Sequence, residues 1–356
     1  MPLTTIKGTN LDAILTNTQL NTTGTAAAAN VLKGTFAWAG ASRSGLTNFA
    51  ASDPATPVRG DIWYQGGFIK IAANPNILTG IWQSGGTLPR SEEQAPMCGS
   101  QKSALLVGGE NSGYKTEGDM YDGFAWRAVT GVLSNGRANA PLIGSSGACI
   151  FCAGQLSGSV TDATEEYDGM SWSAGGTMSD TYYAGVAQGF GTLTAGVCAG
   201  GGLGGSASAV TSLYNGTAWS LGNSCLSTKL YSASAGTNSA GLVTGGSAPA
   251  YTTETEEYDG TSWAAGAAKN TGISQAAGAG TQTAALCFAG TTGSNSSVTE
   301  EYDGTAWATV AALATARRSA GGAGSQNAAF VVGGYGSGYL SSTEEWNKPQ
   351  IQYYDV

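Results

Sequence analysis

The sequence predicts an all-β fold, a six-bladed β-propeller with an extended N-terminal segment and a β-hairpin before it. Three observations support this prediction: a repeat of 44 to 47 residues, an Asp-Gly or Asn-Gly pair in five of its copies, and a composition of small residues with regularly placed aromatics. Glycine accounts for 56 of 356 residues and charged residues for only 11%. Such a composition favours short strands and tight turns over helices.

Tryptophan marks the repeat, at separations of 44, 46, 47, 44 and 44 residues, the period of a four-stranded blade. In Tyr258-Asp-Gly-Thr-Ser-Trp263 and its copies, Asp-Gly predicts a type I′ hairpin between a strand ending in Tyr and a strand beginning with Trp. We expect these tryptophans to form the core between blades rather than a sugar-stacking platform. They are Trp82, Trp126, Trp172, Trp219, Trp263 and Trp307, with Trp346 in the tyrosine position of the last copy.

About a dozen residues before each tyrosine, a pair of small residues ends an apolar strand. The pairs are Gly108-Gly109, Ala153-Gly154, Ala199-Gly200, Gly245-Gly246, Ala289-Gly290 and Gly333-Gly334. A strand of glycine and alanine precedes each apolar strand, as expected for the innermost strands that crowd around a propeller axis. Four strands per repeat follow.

The phase of the repeats leaves two ways to close the ring. The array begins at Trp82, an outer-strand position, and ends after Trp346, a third-strand position. We expect the strand at Trp82 to complete the last blade, which removes two free sheet edges. Alternatively, the tail Ile351–Tyr354 supplies that strand.

Three regions follow from these patterns. Residues 77–356 form the propeller, and residues 60–76 form a hairpin linker in which Gly60–Ala73 alternates about a Gly-Gly turn. Residues 1–59, rich in Thr, Asn and Ala, are an extended attachment segment. No signal peptide or membrane span is evident, so we expect synthesis in the cytosol and no membrane insertion.

The order of small pair, Tyr and Trp over residues 77–356 resembles kelch repeats. The copies at Ala279–Trp307 and Ala323–Trp346 resemble the kelch-like arrays in tail-fibre and other virion proteins of marine phages, through Gly-x-Gly-Ser/Thr-Gln-x-Ala-Ala followed by a small pair and Thr-Glu-Glu. In the first of these copies the pattern continues as Tyr-Asp-Gly-Thr-x-Trp, whereas the last copy has Trp346 after Thr-Glu-Glu. Gly60–Gln65 is similar to a hairpin found ahead of repeats in phage fibre proteins.

This resemblance implies a virion protein assembled in the host cytoplasm, a tail-fibre or receptor-binding component whose propeller binds a host-surface glycan or protein. It also implies contact with other virion proteins through residues 1–59 and oligomerisation in the virion. A head-decorating protein and a cellular kelch adaptor are the alternatives.

Several functions conflict with the composition. The chain has no histidine, which removes imidazole bases, Ser–His and Cys–His nucleophiles and most zinc and copper sites. It therefore lacks the copper site of the kelch-type radical oxidase, and no sialidase-type arginine triad is evident. We expect no catalysis, metal or cofactor. The net charge of −9 argues against nucleic-acid binding.

A pair of cysteines and a set of glutamate pairs could each be interpreted as metal-binding. Cys149 and Cys152 have the spacing of a redox or metal pair, but they lie in a strand where residues three apart point to opposite faces. We expect small core hydrophobes in a reducing cytosol. The Glu-Glu pairs at 165–166, 256–257, 300–301 and 344–345 could bind calcium with other ligands, but a solvated face is the preferred prediction.

The candidate ligand-binding residues lie in the loops that differ between copies. One set of loops follows the small pair, and the other follows the tryptophan. Exposed tyrosines among Ser, Asn and Gly make adaptable contact surfaces, although the sequence does not select one face of the ring. The candidates are Tyr114, Tyr182, Tyr183, Tyr251, Arg317, Arg318, Tyr335 and Tyr339.

Overall fold

A computed structural model describes residues 80–157, 159–178, 188–203, 206–247 and 250–348, together with short strands outside this range. The chain forms two compact units. One unit is Gly80–Lys348, and the other comprises Met1–Thr79 and Pro349–Val356.

The unit Gly80–Lys348 is a six-bladed β-propeller of four-stranded antiparallel sheets, as predicted. The strands of each blade are given from the innermost outward. Blade 1 consists of Met97–Ser100, Ser103–Val107, Gly118–Tyr121 and Trp126–Ala128. Blade 2 consists of Leu142–Ser145, Ala148–Cys152, Thr164–Tyr167 and Trp172–Ala174, and blade 3 of Gln188–Thr192, Ala195–Ala199, Thr211–Tyr214 and Trp219–Leu221. Blade 4 consists of Ala233–Thr237, Ala240–Thr244, Thr255–Tyr258 and Trp263–Ala265. Blade 5 consists of Ala277–Thr281, Ala284–Phe288, Thr299–Tyr302 and Trp307–Thr309. Blade 6 consists of Gly321–Ser325, Ala328–Val332, Thr343–Asn347 and Ile81–Ser84.

The ring is closed by the strand Ile81–Ser84, which completes blade 6. It pairs with Thr343–Asn347 in the register Trp346↔Trp82 and Asn347↔Ile81. The innermost strand of blade 6 also contacts that of blade 1. The prediction of closure at Trp82 is therefore confirmed, and closure by the tail is wrong.

The other unit contains the predicted hairpin, Ile62–Gln65 with Phe68–Ile71, paired so that Gln65 opposes Phe68. Tyr354–Asp355 adds a third strand to this hairpin, which is where the tail pairs instead of in blade 6. Phe36–Trp38 pairs with Ala41–Arg43. Most of the predicted attachment segment 1–59 lies outside the described residues. In the propeller, two further ribbons join Gln155–Leu156 to Ser159–Val160 and Gly202–Leu203 to Ser206–Ala207.

The Tyr-to-Trp hairpins are present, but their turns are not of type I′. Tyr121 pairs with Trp126 across a loop of residues 122–125, and in that loop Gly123 alone has a positive φ, of 93°. The Asp122 carboxylate instead accepts hydrogen bonds from the backbone N–H groups of Phe124 (3.0 Å) and Ala125 (2.8 Å). The aspartate of the Asp-Gly pair therefore stabilises the loop through its side-chain carboxylate, as in an Asx-turn.

The repeated tryptophans pack between adjacent blades. Hydrophobic clusters occupy the six interfaces, and each includes one outer-strand tryptophan. Five indole N–H groups donate to a threonine on the third strand of the preceding blade, at 2.9–3.0 Å. Trp172 is half-buried, and its indole N–H is shielded from solvent without a partner because Gly118 stands where the other blades carry threonine.

Each innermost strand carries one glycine with a positive φ, between 104° and 130°. These glycines are Gly99, Gly144, Gly191, Gly236, Gly280 and Gly324. A Cβ at Gly280 would lie 2.2 Å from the backbone oxygen of Ala284. Backbone conformation, in addition to crowding at the axis, therefore explains glycine here.

Replacing Gly280 by alanine is expected to lower the free energy of unfolding by about 1–3 kcal/mol, because the backbone conformation is strained and the Cβ collides with a carbonyl. Gly147→Ala is the matched control, since a Cβ there meets nothing within 4 Å. Urea denaturation of the two variants measures the difference. Equal stability of the two variants would contradict this account.

The small pairs are places where two consecutive residues adopt positive φ. In blade 3 these are Gly200 (70°) and Gly201 (90°), so the sequence assignment to Ala199-Gly200 is wrong by one residue. The Gly201 N–H donates to the Lys229 oxygen at 2.8 Å, in the loop that leads to the next blade. The pair therefore turns the chain and joins neighbouring blades.

The Glu-Glu pairs do not form a solvated face, and that prediction is wrong. Their first members are buried, with exposed fractions of 7%, 3%, 0% and 4% for Glu165, Glu256, Glu300 and Glu344. Each faces a buried cation from the loop entering its own blade. The pairs are Arg137–Glu165, Lys229–Glu256 (2.9 Å), Lys269–Glu300 (4.0 Å) and Arg317–Glu344 (2.7 Å).

The second members of these pairs connect neighbouring blades. The Tyr302 hydroxyl donates to Glu257 at 2.5 Å, and Tyr121 and Tyr214 donate to Glu345 and Glu166. Burial, followed by the hydrogen bond to Glu257, raises the pKa of Tyr302 to about 12. The Glu-Glu motif therefore has a structural role on both sides of its strand.

The six cysteines are free and buried, as predicted. Cys149 packs in the cluster between blades 1 and 2, whereas Cys152 packs between blades 2 and 3. The two side chains of this CxxC pair therefore point to opposite faces of the strand.

Candidate functional site

Both sets of variable loops open on the same face of the propeller, which we name the loop face. In an antiparallel blade, the loop after the second strand and the loop after the outer strand lie at the same end. Backbone hydrogen bonds join them directly, as from Gly290 N–H to the Arg317 oxygen at 2.8 Å. The opposite, turn face carries the Asp-Gly loops and the chain ends of the propeller, where Lys348 N–H donates to the Asn327 oxygen at 2.9 Å.

Three of the predicted candidates meet in blade 6. The Arg318 guanidinium lies 4.8 Å from the centre of the Tyr335 ring, and Tyr335 contacts Tyr339 edge-on at 5.6 Å. Arg318 also donates to the side-chain oxygen of Asn295 at 3.2 Å. These contacts hold a cation and two aromatic rings in a fixed arrangement, with Tyr339 36% exposed.

Two glutamates, Glu93 before blade 1 and Glu110 within it, add acidic side chains to the same region. Glu93 and Glu110 exchange backbone hydrogen bonds of 3.1 and 2.8 Å. Burial raises the pKa of Glu93, which the Arg318 charge opposes and the Glu110 charge reinforces. Desolvation, with smaller contributions from Glu110 and Glu93, also raises the pKa of Tyr339. We name Arg318, Tyr335, Tyr339, Glu93 and Glu110 the rim cluster.

The remaining candidates are distributed differently. Tyr114 is half-buried in the blade 1 loop. Desolvation raises the pKa of its hydroxyl, and the charges of Glu110 and Tyr231 raise it further. Tyr251 is 45% exposed on blade 4, apart from the rim cluster. Tyr182 and Tyr183 lie outside the described residues.

Arg317 does not belong to the exposed rim, although the sequence analysis included it. Its side chain is fully buried, and it donates to the Gly333 and Ser342 oxygens at 3.1 and 2.9 Å besides pairing with Glu344. Desolvation lowers the pKa of Arg317, and Glu344 opposes that effect. Arg317 therefore connects the loop to blade 6 and is not available to a ligand.

Sequence reasoning missed a ring of side chains at the axis. Five residues at equivalent positions, each five before the innermost glycine, have φ between 52° and 60°. They line the loop-face opening of an axial cavity of about 270 Å³, and we name them the axial mouth. They are Gln94, Asn139, Tyr231, Gln275 and Ser319.

Backbone hydrogen bonds connect the axial mouth from blade to blade. Gln94 N–H donates to the Ser319 oxygen at 2.7 Å, and Ser319 N–H donates to Gln275 at 3.0 Å. The Asn139–Gln94 and Gln275–Tyr231 bonds measure 3.1 and 2.8 Å. This belt fixes the backbone, at a cost of about 1–3 kcal/mol for each left-handed residue. No common residue type marks these positions, so the sequence carries no signal for them.

The described residues contain no group of three or more His, Cys, Asp or Glu side chains that could hold a metal ion. They likewise include no helix long and apolar enough to cross a membrane. The described loop face offers aromatic rings, amides, the partly exposed guanidinium groups of Arg90 and Arg318, and several carboxylates, among them Glu93, Glu110 and the exposed Glu254. This inventory suits non-covalent recognition by stacking and hydrogen bonding.

Comparison with known proteins does not assign this chain to a family. No protein-family model matches this chain, and no curated protein matches it either. The six-bladed β-propeller is therefore the level at which the structure classifies it.

Proposed function

We propose that this chain is a phage virion protein, a tail-fibre or receptor-binding component whose propeller binds the host surface without catalysis. The observation that carries the proposal is the polarity of the ring. The rim cluster and the axial mouth share the loop face, whereas the chain ends of the propeller leave from the turn face near Lys348. A binding face free of chain ends suits a protein attached to a particle at one end.

The repeat pattern supports the phage assignment through its resemblance to the kelch-like arrays of virion proteins. The absence of histidine from the sequence supports a non-catalytic role because the common nucleophile-activating pairs are missing. In this proposal, residues 1–59 contact other virion proteins and the propeller faces outward.

Antibody labelling of intact virions tests the location. We expect signal at the tail, and signal confined to the head at high copy number would instead favour a decorating protein. No labelling of particles, together with a stable partner recovered from cells, would replace the proposal with a cellular adaptor.

The double variant Arg318→Ala/Tyr339→Ala is expected to reduce binding of the purified protein to host cells at least about tenfold, because it removes a stacking ring and a charged donor. Phe124→Ala is the matched control, since Phe124 is 87% exposed on the turn face. Flow cytometry with labelled protein measures both. A loss in the control that equals the loss in the double variant would contradict binding through the loop face.

Incubation with host polysaccharide tests the absence of catalysis. We expect no new reducing ends, because the loop face offers recognition groups without an imidazole base. Release of oligosaccharides by the wild-type protein, abolished by the loop-face double variant, would establish an enzyme instead.

A further inference from the structure

The axial mouth differs from the innermost strands in its use of glycine. The chain has 56 glycines, and glycine occupies all six positive-φ positions of the innermost strands. Five residues earlier, positive φ is again required, yet the described positions carry Gln94, Asn139, Tyr231, Gln275 and Ser319. Glycine would adopt this conformation without steric strain. Ala153 and Ala289 also have positive φ, but they carry only a methyl group, whereas the mouth gathers five longer or polar side chains at one opening, which indicates a role for the side chains themselves.

The polar groups of the axial mouth are only partly used by the protein. Asn139 donates to the side-chain oxygens of Gln94 and Gln155, both at 2.8 Å, and Ser319 donates to Gln275 at 3.4 Å. Within the described part of the chain, neither the amide nitrogens of Gln94 and Gln275 nor the Tyr231 hydroxyl has a protein hydrogen-bond partner. Donors therefore remain for a ligand.

The lining of the cavity selects the chemistry of that ligand. Among the described residues that line it, from Gln94 to Gly324, none is charged. An uncharged ring of amides and hydroxyls complements neutral hydroxyl groups and offers no counter-charge to a phosphate, sulfate or carboxylate. Tyr231, which lines the cavity, adds an aromatic ring of the kind that stacks on sugar faces.

The shape of the cavity selects how the ligand enters. Its volume of about 270 Å³ lies just below the range of about 300–1,000 Å³ for pockets of drug-sized ligands. Described residues of the innermost strands of all six blades line the cavity, from Gln94 at the loop face to Gly99 near the turn face, so it is an axial cavity enclosed at its sides and not a surface groove. A cavity enclosed at its sides accepts a chain by its end, whereas the middle of a polysaccharide needs a groove.

From these observations we propose that the axial mouth binds the terminal residue of a neutral glycan end-on. This inference rests on the proposed receptor-binding function and specifies its ligand. The rim cluster then contacts the residues that follow the terminal one.

Glycine variants separate binding from folding, because glycine removes the side chain and relieves the strain. We expect Gln94→Gly/Gln275→Gly to weaken binding of the full chain at least about tenfold while its Tm stays the same or rises. The probe is an array of linear neutral oligosaccharides attached through their reducing ends. Ser112→Gly is the control, since Ser112 has φ of 56° in an exposed loop outside the mouth.

Two further measurements test the end-on geometry. Removal of the terminal residue by an exoglycosidase should abolish binding, and the matching free monosaccharide should compete. Unchanged binding by the double glycine variant, a large drop in its Tm, or equal binding to cyclic oligosaccharides would overturn the inference. Host-cell binding by the wild type that is lost on protease treatment, without array binding, would also overturn it and leave the receptor-binding function standing. Absence of both host-cell binding and virion labelling would instead refute the proposed function.

Discussion

Removal of residues 80–86 is expected to lower the free energy of unfolding of the propeller by at least about 3–5 kcal/mol. These residues include the closing strand Ile81–Ser84, which pairs with Thr343–Asn347 and covers Trp346. Trp346 is fully buried, and loss of the packing around a buried aromatic costs about this much. The exposed strand edge would also promote association. Denaturant unfolding and sedimentation of chains 80–348 and 87–348 measure both effects.

A circular permutant supplies the control for this deletion. Residues 82–86 would follow Trp346 through an Asp-Gly-Thr-Ala connection, copying the loop between Tyr302 and Trp307. This chain begins at Thr87 and regains the fourth strand of blade 6, so its stability is expected to return close to that of chain 80–348. If chain 87–348 were as stable as chain 80–348, the closing strand would not stabilise the ring.

The second large effect concerns Arg317, whose replacement by methionine is expected to cost about 3–5 kcal/mol. The change leaves the carboxylate of the buried Glu344 without its cation, and an unpaired buried charge is strongly destabilising. The Gly333 and Ser342 oxygens also each lose the hydrogen bond that they accept from the guanidinium. Chemical denaturation measures the change.

Arg318→Met is the matched control because it alters the adjacent arginine. Arg318 is half-buried and lies on the rim, so its loss is expected to cost less than about 1 kcal/mol. The double variant Arg317→Met/Glu344→Met should recover much of the stability lost by Arg317→Met, because no charge is then left unpaired. Similar losses for Arg317→Met and Arg318→Met would argue against this role of the buried pair.

The fold could be predicted because its signals are local and repeated. The spacing of Trp, the Asp-Gly pairs and the phase between Trp82 and Trp346 depend on sequence order alone, and together they specify blades and ring closure. The Asp-Gly turn type was predicted wrongly because the Asp122 side chain, rather than two left-handed residues, stabilises the loop.

The candidate site was predicted less completely because its residues are defined by three-dimensional neighbours. Arg317 and Arg318 are adjacent in sequence, yet one is buried and the other is on the rim. One signal was available, since a basic residue precedes the buried glutamate by 28 residues at Arg137 and by 27 at Arg317. The axial mouth had no such signal because its members share a backbone conformation and not a residue type.

Closure of the ring by its earliest strand has a consequence for synthesis. The partners Trp82 and Trp346 are 264 positions apart, so at about 5–20 residues per second the ribosome needs roughly 13–53 s to make one after the other. During that interval the first strand has no partner and blade 6 does not yet exist. Five nascent blades must therefore avoid association with neighbouring chains, and the finished ring carries a long-range contact that slows its folding.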